Sequence, residues 1–117
     1  MTVFVDVDDT LVIFKTGSPH PYGVIMGDSF EPNHKLIERL KNFDGDIIVW
    51  SGGGSDYARK VARMVLPEGM RYIVRTKSAI SMSEFASGDI VVDDQTEYYE
   101  ALKVLGVRVF SPFDEWN

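Results

Sequence analysis

The chain of 117 residues has no cysteine, which excludes disulfides, thiolate zinc sites and a thiol nucleophile. It has two histidines, His20 and His34, too few and too far apart to suggest a histidine metal site; a loop and a helix start are the expected places for them. No run of about twenty apolar residues occurs, so no membrane span is expected. No basic segment precedes the first apolar run, so a secretory leader is not expected either. Positive charge is scarce: Lys and Arg number 12 against 18 Asp and Glu, for a net charge of −6. That balance disfavours general binding to a nucleic-acid backbone. With the missing cysteines, it fits a cytoplasmic protein.

What is present is a hydrophobic content of 44%, enough for the core of a single domain spanning 1–117. Short β-branched runs alternate with helical periodicity. The runs are 2–5 (reaching about Val7), 46–50, 71–74, 89–92 and 107–110. Unbroken runs of this kind suit strands covered on both faces. Between them, helices are predicted over 32–43, with Pro32 in its first turn, and over 55–66, capped by Ser55. A shorter helix is predicted over 78–86. Another, over 96–105, turns Tyr98, Leu102 and Leu105 inward and stops at Gly106. Strand and helix in alternation imply a Rossmann-like α/β fold, a parallel sheet of about five strands flanked by helices. The stretch 12–28 departs from the alternation. Turn residues at 17–19 and 21–23 between apolar arms predict a β-hairpin projecting over the strand ends.

In parallel sheets ligands bind beyond the carboxyl ends of the strands. There the sequence delivers Asp6 and Asp8 after the first strand and Ser51 after the second. Arg75 to Lys77 follow the third, and Asp93 and Asp94 the fourth. Crowded carboxylates resist burial unless a cation offsets them. Asp6 and Asp8, two apart, share a face if the chain stays extended. One can attack as a carboxylate while the other carries a proton. Mg²⁺ suits such a site, because it prefers oxygen ligands and keeps waters and substrate phosphate around it. Ser51 can donate a hydroxyl, and Lys77 a positive charge. Gly52, Gly53 and Gly54 can present backbone N–H groups at a helix start, making a phosphate cradle without a P-loop motif. Arg75 and Lys60 compete with Lys77 for the cationic role. Asp9 and Thr10 are expected to stabilise the turn, with Thr10 bonded to backbone or to aspartates near the phosphate. Trp50, Tyr98 and Tyr99 are expected to pack. Tyr22, at the hairpin tip, is the aromatic expected to touch substrate.

Four segments, "DVDDTL", "IIVWSGGG", "IVRTKSAI" and "DIVVDDQ", resemble in order the four motifs of the haloacid dehalogenase superfamily, mostly phosphatases and phosphotransferases. The resemblance implies an aspartyl-phosphate mechanism for phosphomonoester hydrolysis with Mg²⁺. Asp6 would be nucleophile and metal ligand, and Asp8 the general acid/base, with its backbone carbonyl on the metal. Ser51 and Lys77 would hold the phosphoryl group. Asp94 aligns with the family's metal-binding carboxylate and Asp93 would then orient Lys77 or a metal-bound water, or the two acids exchange these roles. The hairpin over 12–28 resembles the family's flap. Only 26 residues separate Ser51 from Lys77, which leaves no room for a cap domain. An open site of this kind suits a bulky phosphorylated substrate, a small molecule or a macromolecular end, or takes a lid from a neighbouring copy.

Two other classes compete. A signalling receiver domain also combines acids, a hydroxyl and a lysine, but its phosphoacceptor follows a later strand and its lysine comes after the hydroxyl residue near the end. A non-catalytic Mg²⁺-binding module would ordinarily lack one of the acids, and here all are present.

Overall fold

In the computed structural model, residues 1–15, 23–78 and 83–116 are described. β-Branched and aromatic runs form five parallel strands: β1 (Thr2–Asp6), β5 (Asp46–Ser51), β6 (Ile73–Thr76), β7 (Ile90–Val92) and β8 (Arg108–Phe110). Their order in the sheet is β6-β5-β1-β7-β8. The chain builds outward from β1 through β5 to β6, then returns to the other side of β1 for β7 and β8. The crevice where this direction reverses lies between the carboxyl ends of β1 and β7, where open α/β sheets bind ligands.

The pleat sorts the core into two layers. Val3 and Val5 of β1 face one way, with Ile47, Val49, Ile90 and Val92. They pack against α1 (His34–Lys41) and α2 (Ser55–Val65) through Leu36, Leu40, Val61 and Ala62. Phe4, Ile48, Trp50 and Val91 face the other way, under Tyr99 and Leu102 of a 3₁₀ helix over Thr96–Leu105. An aromatic layer on that side joins Phe4, Trp50, Phe85 and Tyr99, with ring centroids 4.4–6.3 Å apart.

A second, antiparallel sheet runs β2-β4-β3, from β2 (Val12–Phe14), β3 (Val24–Ile25) and β4 (Asp28–Pro32). The hairpin expected over 12–28 thus extends further, because β4 reaches Pro32, which pairs with Val12. Pro32 is therefore a strand residue, not the first residue of a helix. Buried Asn33 caps α1 instead, its Oδ1 accepting from Leu36 N–H at 3.2 Å. Asn33 Nδ2 donates to Thr10 O and Pro112 O, tying α1 to the turn after β1 and to the C-terminal tail. That tail packs on α1 and β8: Trp116 stacks on Phe110, and Glu115 pairs with Lys35 and Arg39.

Other expectations are corrected. The third strand starts at Ile73, not Arg71, so Arg75 lies inside it. The helix expected over 78–86 falls partly outside the described residues. Its end, 83–86, is turn and irregular backbone, with Ala86 N–H taken by Asp89 Oδ2 at 2.9 Å. Gly54, not Ser55, occupies the N-cap of α2 at φ +108°, a conformation that favours glycine. The last helix is 3₁₀, with three residues per turn. Tyr99 and Leu102, three apart, turn inward. Tyr98 is 63% exposed, and Leu105, at the helix end beside Gly106, is 59% exposed. Gly106 ends it in the left-handed region as expected.

Candidate active site at the carboxyl edge of the sheet

Asp6, the last residue of β1, continues the face of Phe4; Asp93 continues that of Val91, and Lys77 that of Ile73 and Arg75. The pleat therefore aims all three side chains to the same side. Lys77 Nζ lies 2.7 Å from Asp6 Oδ1 and 2.6 Å from Asp93 Oδ2, bridging the two acids. Its ammonium stands 5.6 Å from the centre of the Trp50 ring beneath it. The Lys77 N–H donates to Ser51 O at 2.8 Å, extending the β5–β6 ladder by one rung. Arg75 pairs with Glu84 instead, and Lys60 is exposed on α2.

Asp93 is almost fully buried and heavily bonded. Besides Lys77, its Oδ2 accepts from the Tyr99 hydroxyl at 2.6 Å, and its Oδ1 accepts from Gln95 N–H at 2.9 Å. Burial alone would raise its pKa, but the hydrogen bonds from Lys77, Tyr99 and Gln95 outweigh burial and hold the carboxyl below the ordinary range. Burial pushes Asp6 above that range, against the pull of Lys77 and with a push from Asp93. Asp94 is pushed up to about 7, first by burial and then by sharing hydrogen bonds and like charge with Asp93 and Asp6. The ammonium of Lys77 is shared by Asp6 and Asp93, and Asp94 faces both acids without it.

Oxygens of Asp6, Asp93 and Asp94 all lie within 4.8 Å of one another. An all-carboxylate set with an excess of negative charge fits a hard divalent cation. Asp6 and Asp93 are both buried with both oxygens already accepting from other donors, so the exposed Asp94 is the least committed of the three. Asp8 is not in this cluster. The strand ends at Asp6, the chain turns, and the exposed Asp8 carboxylate accepts from the Tyr57 hydroxyl at 2.6 Å. β1 ends at Asp6 and a turn follows, so the extended backbone on which a shared face for Asp6 and Asp8 depends does not continue past Asp6.

Asp9 adopts φ +55° and accepts from Phe14 N–H at 3.3 Å. Thr10, fully buried, donates to Asp6 Oδ2 at 3.2 Å and accepts from Asp94 N–H at 3.1 Å, linking the first and fourth segments. Ser51 is buried at the end of β5, its Oγ accepting from Gly53 N–H at 3.0 Å. Gly54 N–H returns to Ser51 O, and Ser55 N–H goes to Thr76 Oγ1. Most of the cradle's N–H groups are therefore engaged within the turn. Gly52, exposed, is the glycine whose N–H has no partner among the described residues. Tyr22 lies outside the described residues.

Two residues with contacts to the site were not singled out from sequence. Tyr99 was expected only to pack, and Tyr57 lies in the predicted helix over 55–66 with no chemistry assigned to it. Burial and the acid partners Asp93 and Asp8 raise both phenols well above the ordinary tyrosine range, so each stays a donor. Tyr57 also walls the cradle: a Cβ on Gly53 would meet its ring at 3.3 Å. Spacing three from Leu102 could have marked Tyr99 if a 3₁₀ period had been tried.

Among the described residues no helix is long and apolar enough to cross a membrane. No family model matches the chain, and neither curated proteins nor solved structures yield a match to it.

Proposed function

We propose that the chain is a Mg²⁺-dependent phosphomonoester hydrolase that works through an aspartyl-phosphate on Asp6. The observation that carries this reading is Lys77 bridging Asp6 and Asp93 at 2.7 and 2.6 Å, at the reversal point of a Rossmann-like sheet, with Asp94 and Ser51 alongside. Four segments far apart in sequence meet there, each with the residue type that phosphoryl transfer uses.

In this reading a carboxylate oxygen of Asp6 attacks phosphorus and the ester P–O bond breaks. The departing alkoxide takes a proton from Asp8. Water then attacks the phosphorus of the acyl phosphate, giving its proton to Asp8. Inorganic phosphate leaves and Asp6 is restored. Ser51 and Gly52 donate hydrogen bonds to the phosphoryl oxygens, and Lys77 offsets their charge. Mg²⁺, held by Asp6, Asp94 and the Asp8 backbone carbonyl, supplies charge neutralisation for the acids and the phosphoryl group. The β2-β4-β3 sheet acts as the flap, and no cap domain covers the site. Asp8 must leave Tyr57, or be aimed by it, to reach the leaving group.

The test is phosphate release from a panel of phosphomonoesters, with Mg²⁺ and with chelator, for wild type beside Asp6→Asn. The reading expects metal-dependent turnover that the variant loses. Turnover equal in chelator, or retained by Asp6→Asn, contradicts it. Binding gives a readout without turnover: Mg²⁺ at a hundred times its Kd stabilises the fold by about 2.7 kcal/mol, and Asp94→Asn should abolish most of that shift.

A further inference from the structure

The charge of this acidic chain is segregated. Residues 57–77 hold six of the twelve basic side chains and one of the eighteen acids, Glu68. The rest of the chain carries the other six bases against seventeen acids. The basic stretch comprises most of α2, the connection after it and β6, an edge strand of the sheet.

The arginines there surround concave surface. Arg59 and Arg63, four apart on α2, line a concavity of about 410 Å³ together with Arg71 and Tyr72. Arg71 and Tyr72 also line a neighbouring concavity of about 470 Å³, onto which Arg75 opens. Arg63 and Arg71 are exposed and form no ion pair among the described residues. The Arg59–Asp56 and Arg75–Glu84 pairs are partly or fully exposed. Pairs of that kind contribute about 0–1 kcal/mol and exchange partners at little cost. β6 then leads directly to Lys77, about 20 Å along an extended chain from Arg71.

Positive charge repeated over such a length suits a ligand whose anionic groups also repeat. Tyr72, partly buried against the core and lining both concavities, adds an aromatic edge to them. The acidic remainder of the surface repels a polyanion and so confines it to this edge. We propose that the α2–β6 edge docks single-stranded nucleic acid, with Arg59, Arg63, Arg71 and Arg75 on its phosphates and Tyr72 against a base. A phosphorylated end of that strand is then the substrate delivered to Lys77 and Asp6. This last clause rests on the phosphatase reading; the docking does not.

The experiment is fluorescence anisotropy of the full chain with a labelled single-stranded DNA 12-mer without terminal phosphates, between 50 and 200 mM salt. We expect saturable binding whose log K falls against log salt with a slope of about −3, for four neutralised phosphates. Arg63→Glu with Arg71→Glu should weaken it at least tenfold and flatten the slope. Lys35→Glu with Lys103→Glu, equal in charge change but away from this edge, should leave it within about twofold, with matched circular dichroism for all variants. No binding at 50 mM salt, equal losses in both double variants, or tighter binding of a phosphoserine peptide of the same net charge would overturn the proposal. A chain that binds the 12-mer through these arginines yet hydrolyses no phosphomonoester upholds the docking and removes the phosphatase reading. A chain that hydrolyses small esters but does not bind the strand does the reverse.

Discussion

Each face of the sheet sends one tyrosine to one aspartate, and the two pairs differ in burial. On the 3₁₀ side, Tyr99 is 1% exposed and donates to Asp93, itself 1% exposed and bonded to Lys77 and Gln95. On the α2 side, half-buried Tyr57 donates at the same 2.6 Å to the exposed Asp8, for which no other partner is found among the described residues. Equal distances therefore carry unequal consequences. The first pair belongs to a network in which every oxygen is committed, so it fixes Lys77 and hence the charge facing Asp6. The second is a single exposed contact, which water can replace. In the proposed reaction the first pair would hold the site together, and the second would aim Asp8.

Substitutions can break this contrast. The largest effect is expected from Lys77→Met, which leaves Asp6 and Asp93 buried without their shared cation. Breaking a buried pair costs about 3–5 kcal/mol, and the partial exposure of Lys77 moves the expectation to the lower end; urea denaturation measures it. Tyr99→Phe removes one hydrogen bond to a buried carboxylate and should cost about 1.5–3 kcal/mol by the same method. Tyr57→Phe should cost less than about 1 kcal/mol, since water can replace its hydroxyl at Asp8. A stability loss as large for Tyr57→Phe as for Tyr99→Phe would erase the distinction.

The same Tyr57→Phe variant sharpens the contrast in kinetics. If Tyr57 aims Asp8 at the leaving group, an alkyl phosphate, which needs protonation, should lose about 10- to 100-fold in kcat. An aryl phosphate with an acidic phenol should lose little. Equal losses on both esters would assign Tyr57 to packing alone.

The parallel sheet was legible in the sequence because short unbroken β-branched runs, too short for helices, alternate with stretches of helical periodicity. Asp6, Ser51 and Asp93 stand at the strand ends for the same reason, each directly following such a run, and Lys77 follows the third run by three residues. What was not legible depends on local competition. Pro32 fits the first turn of a helix and equally an edge of β4, and Asn33 after it is the stronger cap. Tyr99 was hidden by the difference between a period of 3.6 and one of 3. The turn that follows Asp6 depends on Asp9 in the left-handed region and on Leu11 N–H bonding back to Asp6 and Val7 carbonyls, a geometry that hydrophobic pattern cannot reveal. The net charge hides a different feature, because a total of −6 averages over a basic edge.

The central claim is that Asp6 becomes phosphorylated. Rapid mixing with a phosphomonoester and Mg²⁺, acid quench, borohydride reduction and peptide mass spectrometry would read it directly, since reduction converts an aspartyl-phosphate to homoserine. The account expects homoserine at position 6 alone, and none when substrate is omitted. Reduction at another aspartate, or sustained turnover with position 6 unmodified at every quench time, would contradict it.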